Sequence, residues 1–182
     1  YYDCNMKDKF KDLFGNLWIG KNPTPLQGKY LVLYLDFSQV GGRIDQLEDK
    51  FNRYCKVKLD SFVDVYRQYY SEDFVKKVFE AEDADKLILI NDESKKLNLR
   101  TYLIIDEYDN FTNTVLNEQG EGVYRAITHA EGFYRDIFKK FKGSFERIFM
   151  TGVSPVTLDD VTSGFNIGWH ISTKKQFNQM LG

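Results

Sequence analysis

The segment from Thr101 to Phe111 constrains the fold more than any other, because a run of apolar residues ends in two adjacent acids. Tyr102-Leu-Ile-Ile105 is a continuous β-prone run, and Asp106 and Glu107 follow it directly. A run without polar alternation is typical of a strand covered on both faces, as in a parallel sheet with helices on each side. The sequence therefore predicts a buried parallel strand whose carboxyl end presents two carboxylates.

Other segments complete a pattern of alternating strands and helices. Strand signals also occur at Tyr30–Asp36 and Arg147–Val153, with a weaker one at Asn166–Ser172. Apolar residues recur at helical spacing in four segments: Ile44–Tyr70, Asp73–Lys96, Val123–Lys142 and Lys174–Met180. Alternation of this kind predicts an α/β architecture with right-handed crossovers. No internal repeat or Pro-, Gly- or Ser-rich linker divides the sequence, so residues 1–182 are expected to form a single domain.

Composition narrows the class of protein. The 15 Phe, 12 Tyr and 2 Trp favour a core packed with large rings over an aromatic surface. A formal net charge of −2 gives no support for nucleic-acid binding, which calls for a basic domain. No apolar run approaches the roughly 20 residues that span a bilayer, and no leader pattern opens the chain. Cys4 and Cys55 form no CxxC pair and are interpreted as reduced thiols, so the sequence predicts a cytoplasmic protein without a membrane partner.

The acid pair has a specific chemical interpretation. Side chains at the carboxyl ends of parallel strands emerge into the crevice where such sheets bind ligands. Asp106 is placed there to hold Mg²⁺, which prefers oxygen ligands. Glu107 is placed to orient a water molecule that attacks a terminal phosphate. The alternative is that both acids simply end the strand in solvent; Asp109 and Asn110 are expected to cap the segment that follows.

A near match to a phosphate-binding loop occurs at Gly15–Asn22, where Gly-Asn-Leu-Trp-Ile-Gly-Lys-Asn approaches the pattern G-x-x-x-x-G-K-[ST]. That loop requires a strand before it and a helix after it. Phe10–Phe14 is instead predicted to be helical, and Pro23 and Pro25 oppose a helix that opens after Lys21. The final Asn also replaces the hydroxyl that would bind Mg²⁺, so this segment is not predicted to bind phosphate.

Other catalytic patterns are weaker. His129 and His170 have no partner at metal-ligand spacing, which argues against a zinc centre. No G-x-S-x-G nucleophile elbow is present. Glu48-Asp-Lys50 has the E-x-K spacing of some metal-dependent nucleases, but it lies in a predicted helix and is interpreted as an exposed charge cluster.

Several motifs in order resemble the predicted AAA-ATPase-like family, and together they cover essentially the whole chain. They are Leu13–Gly20, Tyr34–Ser38, Ile105–Phe111, Phe149–Pro155 and Ser163–Gly168. Members are P-loop NTPases that often precede a restriction-like nuclease domain. The resemblance implies an α/β, P-loop NTPase-like three-layer sandwich with a mostly parallel sheet.

The resemblance also implies roles for individual residues. Asp106 and Glu107 match the Walker B acids, with Asp106 on the Mg²⁺ of bound ATP and Glu107 on the attacking water. Thr151 lies where such ATPases place a polar sensor of the terminal phosphate, with Ser154 and Asn166 as weaker candidates. A hydroxyl that only satisfies the turn backbone is the alternative for Thr151. ATP and Mg²⁺ are the implied cofactors.

In this family the strand, phosphate loop and first helix precede the motif with which the chain begins. The chain is therefore expected to be an N-terminally truncated domain that lacks the first strand and hydrolyses nucleotide poorly or not at all. The uncovered sheet edge would promote self-association, unless Asn166–Ser172 closes the gap. The alternative function is a non-catalytic protein-interaction module that retains an ATPase-like sheet. DNA handling rests only on the neighbouring nuclease domains of relatives.

Overall fold

The computed structural model describes residues 1–41, 44–129, 132–153, 171–172 and 174–177. Three parallel strands form one sheet in the order β1-β2-β3, and they comprise Leu31–Asp36, Thr101–Asp106 and Arg147–Met150. All three lie at strand segments predicted from the sequence. The predicted strand at Asn166–Ser172 falls almost entirely outside the described residues.

The two faces of the sheet differ in their cover. Residues Leu31, Leu33 and Leu35 of β1, with Leu103 and Ile105 of β2, point into the helical core and are at most 4% exposed. The opposite face, here called the open face, consists of Val32, Tyr34, Tyr102, Ile104 and Phe149, of which Tyr34 is 47% and Phe149 37% exposed. Within the described ranges, then, one face is buried along β1 and β2, and the other is only partly covered.

Eight α-helices lie in the described part of the chain. They are α1 Phe10–Phe14, α2 Trp18–Lys21, α3 Leu47–Val65, α4 Glu72–Glu80, α5 Asp83–Lys96, α6 Asn110–Gln119, α7 Glu121–Thr128 and α8 Phe133–Ser144. None of them combines the length and the apolar character that crossing a membrane requires. Short 3-10 turns occupy Cys4–Lys9, Phe37–Gln39, Ile44–Gln46, Arg67–Tyr69 and Lys175–Phe177.

Two predicted helical segments are each divided in the structure. The segment Asp73–Lys96 breaks at Ala81, whose ψ of 152° is extended, so α4 and α5 are separate helices. The segment Val123–Lys142 breaks after His129, whose ψ is 163°. The last predicted helix is described only as the turn Lys175–Phe177.

The prediction of an aromatic core is confirmed. Phe37, which follows β1, packs edge to face against Phe51 of α3 and Tyr134 of α8, and these three rings are each 0% exposed. Further buried rings extend this cluster: Tyr66, Phe74, Phe111, Phe138 and Phe141. Such pairs add specific geometry to a large buried apolar area.

Tyrosine hydroxyls occupy the outer edge of β1, the edge that faces away from β2. The Val32 amide donates to the Tyr66 hydroxyl at 2.9 Å, and the Asp36 amide donates to the Tyr54 hydroxyl at 2.7 Å. At the start of the same edge, the Tyr30 amide donates to the Tyr2 carbonyl at 3.0 Å. The amides of Tyr30, Val32 and Asp36, which would otherwise be available to another strand, thus have side-chain or backbone partners. We call this the tyrosine-capped edge.

A buried lysine joins three helices. The ammonium of Lys86 on α5 is 0% exposed and donates to Asp60 on α3 at 2.7 Å. It also donates to the carbonyls of Val78, at 2.5 Å, and Phe79, at 3.2 Å, at the end of α4. A buried ammonium requires partners of this kind, and here they include two carbonyls of the last turn of α4.

The described architecture is α/β with a three-stranded parallel sheet, as predicted, and it is compatible with a P-loop NTPase-like fold. The helical core packs on one face of this sheet, while on the open face the Tyr2 ring contacts Tyr102, with ring centroids 5.2 Å apart. The expected three-layer sandwich and the missing first strand remain predictions.

Candidate functional site

The carboxyl ends of the parallel strands bring acids together, as expected for this topology. Asp36 ends β1 and Asp106 ends β2, and the two are paired in the strand register. Both side chains project on the same side of the sheet as the open face, because alternate residues of a strand share a face. Tyr34 lies two residues before Asp36 on that face.

Three donors hold the carboxylate of Asp106. The Thr151 hydroxyl and the Glu107 amide donate to Oδ1, the latter at 3.1 Å. The Tyr34 hydroxyl donates to Oδ2 at 3.0 Å. The Thr151 bond is the chief cause that lowers the pKa of Asp106, and the Tyr34 bond contributes next, so the carboxylate is ionised at neutral pH.

Glu107 occupies an unusual backbone conformation directly after the strand. Its φ is 54°, in the left-handed region that non-glycine residues seldom adopt. The sharp bend there lets the Tyr108 amide donate to the Thr151 carbonyl at 3.1 Å. The Glu107 carboxylate makes no hydrogen bond or ion pair with the described residues. Strained non-glycine positions cluster at functional sites, and a carboxylate without such partners is available to a ligand or water.

Thr151 is tied to β2 by its backbone and to Asp106 by its side chain. Its amide donates to the Ile105 carbonyl at 2.9 Å, which extends the pairing of β2 and β3 to the end of both strands. Its hydroxyl contacts a carboxylate rather than a backbone group. The sensor candidate predicted from the sequence therefore lies beside the predicted metal ligand.

Asp36 is engaged with the turn that follows β1. Its carboxylate accepts from the Ser38 hydroxyl at 2.6 Å, the Ser38 amide at 3.0 Å and Gln39 Nε2 at 2.8 Å. The Ser38 hydroxyl bond is the largest cause that lowers the pKa of Asp36. Asp36 thus starts the Phe37–Gln39 turn and also adds negative charge beside Asp106.

Sequence reasoning missed the role of Asp109. This residue is 0% exposed, and both of its carboxylate oxygens accept the Val153 amide at 3.1 Å. Asn113 also donates to it at 3.0 Å. Its side chain makes no capping bond at the start of α6, so the expected cap is absent there. Asp109 instead fixes the turn after β3. The sequence signal for this role was a further acid, Asp109, two residues after Glu107.

The other candidates are dispersed. Gly15–Asn22 runs from the end of α1 through α2, so no strand precedes it and the strand-loop-helix geometry is absent. Glu48-Asp-Lys50 lies exposed on α3, as predicted. His129 contacts the neighbouring Thr128 hydroxyl at 2.9 Å. Ser154, Asn166 and His170 lie outside the described residues.

The donor set fits a hard cation better than a soft one. Asp106 offers an ionised carboxylate, and Glu107 and Thr151 offer further oxygens, the ligand type that Mg²⁺ prefers while it retains water. Among the residues that the structure describes, no group of three His, Cys, Asp or Glu side chains is arranged to enclose a metal. The site therefore suits a cation that takes one or two carboxylates and completes its shell with water and phosphate.

Comparison with known proteins gives one match. A family model described as Predicted AAA-ATPase, AAA-ATPase_like, matches residues 1–162. No curated protein and no solved structure matches the chain. The matched range contains all three strands and every residue of the cluster around Asp106.

Proposed function

The chain belongs to the AAA-ATPase-like family of predicted AAA-ATPases, and from this premise we propose that it is the core of an ATP-binding and ATP-hydrolysing regulatory AAA-like ATPase. Asp106 is assigned to the Mg²⁺ of bound ATP, Glu107 to the attacking water and Thr151 to sensing the terminal phosphate. A cytoplasmic location is part of this proposal.

One observation carries the assignment: the Asp106 carboxylate and the Thr151 hydroxyl are hydrogen-bonded at the carboxyl ends of adjacent parallel strands. Ligands of open parallel sheets bind at that edge. In P-loop NTPases an acid at this position holds Mg²⁺. The family match supports an ATPase-like function, and this contact supports the choice of residues.

The chemical roles follow from what each side chain can do. Asp106 would hold Mg²⁺, which when bound would supply positive charge to neutralise the phosphates. Asp106 orients that ion or its water through the one carboxylate oxygen that retains spare acceptor capacity. Glu107 accepts a proton from, or orients, the water, since its carboxylate has no partner among the described residues. Thr151 reports on the terminal phosphate from its position beside Asp106, to which its hydroxyl donates.

The described residues supply the acidic side of this site. The near match Gly15–Asn22 lacks the preceding strand that aims backbone amides at phosphates. Those amides and their lysine provide most of the phosphate binding in P-loop NTPases. We therefore expect this chain to bind ATP weakly, chiefly through the Mg²⁺ that Asp106 would hold, and to turn it over slowly.

A second candidate function is a non-catalytic protein-interaction module, and the open face favours it. Tyr34 and Phe149 are 47% and 37% exposed, and they flank Ile104 on that face. Aromatic residues are enriched in the cores of protein interfaces. Self-association through a sheet edge, expected from the sequence, belongs with this candidate.

The test is a titration of the chain with a fluorescent ATP analogue, with and without Mg²⁺. Asp106→Asn is the test variant because it removes the charge and keeps the shape. Glu80→Gln, on the exposed end of α4, is the matched control. We expect saturable binding that requires Mg²⁺ and weakens about tenfold or more in Asp106→Asn, in line with the loss of a metal ligand.

The outcomes separate the two candidates. If binding does not depend on Mg²⁺, or if Asp106→Asn leaves it unchanged, Asp106 is not part of the nucleotide site. A folded chain that binds no nucleotide at all would contradict the ATPase assignment and leave the interaction module. Fast turnover that Glu107→Gln abolishes would contradict only the expectation of slow hydrolysis.

A further inference from the structure

We propose that Tyr34 is a positioning residue that fixes the Asp106 carboxylate so that one lone pair of Oδ2 faces the metal; the inference rests on the proposed function. The acid motif points to Asp106 but says nothing about a phenol on the neighbouring strand. The contact between the two side chains is a product of strand register.

Register places the phenol within reach of the acid. Tyr34 is paired with Ile104, which precedes Asp106 by two residues on the same face of β2. The long tyrosine side chain spans this diagonal, and its hydroxyl donates to Asp106 Oδ2 at 3.0 Å. Diagonal neighbours on one face lie about 7–8 Å apart, within reach of aromatic side chains.

Counting acceptor sites shows what the contact does. An ionised carboxylate has about four lone-pair positions, two on each oxygen. Oδ1 accepts from both the Thr151 hydroxyl and the Glu107 amide, so its positions are filled. Oδ2 accepts from Tyr34 alone among the described residues, so one position on Oδ2 remains. Tyr34 thereby sets both the carboxylate plane and the single direction from which a cation or its water approaches.

A purely structural role does not account for the phenol. Tyr34 is 47% exposed, unlike Tyr66, which is 1% exposed and holds the backbone of β1. A phenol donates a hydrogen bond throughout the neutral range, since phenols ordinarily lose their proton only near a pH of about 10.

The test compares Tyr34→Phe with Tyr102→Phe, which removes a phenol from the same face at the opposite end of the strands. Two quantities are measured in the 182-residue chain. One is the pKa of Asp106, by carboxyl ¹³C NMR without metal or nucleotide. The other is the Mn²⁺ concentration that gives half-maximal binding of the fluorescent ATP analogue. Asp106→Asn is included as the reference for complete loss of the ligand.

We expect Tyr34→Phe to raise the pKa of Asp106 and to raise the Mn²⁺ requirement about tenfold, the usual effect of removing a group that orients a metal ligand. Tyr102→Phe should change neither. If Asp106→Asn abolishes the Mn²⁺ dependence while Tyr34→Phe leaves it unchanged or improves it, the inference is wrong and the proposed function stands. If Asp106→Asn has no effect, the proposed function fails and the inference fails with it.

Discussion

The Thr151 hydroxyl donates a hydrogen bond to Oδ1 of Asp106, which joins the turn after β3 to the acid at the end of β2. This bond is the largest cause that lowers the pKa of Asp106. Thr151→Val keeps the shape and removes the donor, so we expect the pKa of Asp106 to rise. Thr151→Ser should retain the lower value, and ¹³C NMR titration of the carboxyl group distinguishes the two.

The same bond has a predictable effect on stability. A carboxyl group whose pKa is lower in the folded state stabilises the fold above its unfolded pKa of about 4. That stabilisation disappears as the pH falls through the folded-state pKa. In Thr151→Val the free energy of unfolding should therefore fall less steeply than in wild type as the pH is lowered below about 4. Above a pH of about 5 the two pH dependences should have nearly the same shape. An acid dependence identical to that of wild type would mean that the bond does not persist in solution. The effect should be small, because Asp106 is close to solvent.

Gly152 should not tolerate a side chain. A Cβ there would lie 2.4 Å from Asp109 Oδ1 and 2.5 Å from the Tyr108 ring. Both neighbours are buried and cannot move aside without disturbing the turn after β3. We expect Gly152→Ala to lower the free energy of unfolding by about 1–3 kcal/mol, as overpacking does, in urea denaturation.

Gly143 provides the matched control. It lies in α8, and a Cβ added there would have nothing within 4 Å. Alanine in a helix interior is favoured over glycine by about 0.5–1 kcal/mol, so Gly143→Ala should be neutral to stabilising. Equal destabilisation by both variants would contradict the packing described around Gly152.

Lys86 is expected to be one of the most sensitive positions for stability. Lys86→Met would leave Asp60 and two carbonyls of α4 without their common donor. Removal of one partner of a buried pair costs about 3–5 kcal/mol; because the Asp60 side chain is 30% exposed, we expect about 2–4 kcal/mol. Lys56→Met is the control, since its ion pair with Asp83 is exposed on both sides and should contribute little. Similar losses in the two variants, measured by urea denaturation, would argue against the buried network.

The two cysteines should differ in reactivity. Burial raises the pKa of Cys55 to about 12, so its thiolate is scarce at neutral pH, whereas Cys4 is partly exposed. With a thiol reagent at a pH of about 8 we expect one group to react rapidly in the native chain and the second only after denaturation. Rapid reaction of both in the folded protein would show that α3 opens readily around Cys55.

The strands were predictable because each is a continuous apolar run that ends in polar residues. The helix divisions were not, since helical spacing continues across Ala81 and His129 although their backbones are extended. The helix α6 was missed because its sequence, Asn-Phe-Thr-Asn-Thr, has low helix propensity and is stabilised instead by burial of Phe111 and Val115.

The site was predictable where it depends on strand ends and not where it depends on register. Parallel topology alone implies that Asp106 and Thr151 lie at one edge of the sheet. The contacts of Tyr34 and Asp109 depend on how neighbouring strands are aligned and on how far a particular side chain reaches. A single sequence contains neither quantity. The roles of Asp106, Glu107 and Thr151 in nucleotide chemistry stay predictions.

The tyrosine-capped edge limits where a further strand can join the sheet. On the β1 side, the hydroxyls of Tyr54 and Tyr66 occupy backbone groups that a newcomer strand would need. On the other side, β3 has β2 as its one strand neighbour within the described residues. We therefore expect an additional strand, from this polypeptide or from another, to pair with β3, next to Thr151. Under the proposed function, such a strand would extend the sheet and complete the nucleotide site at the same time.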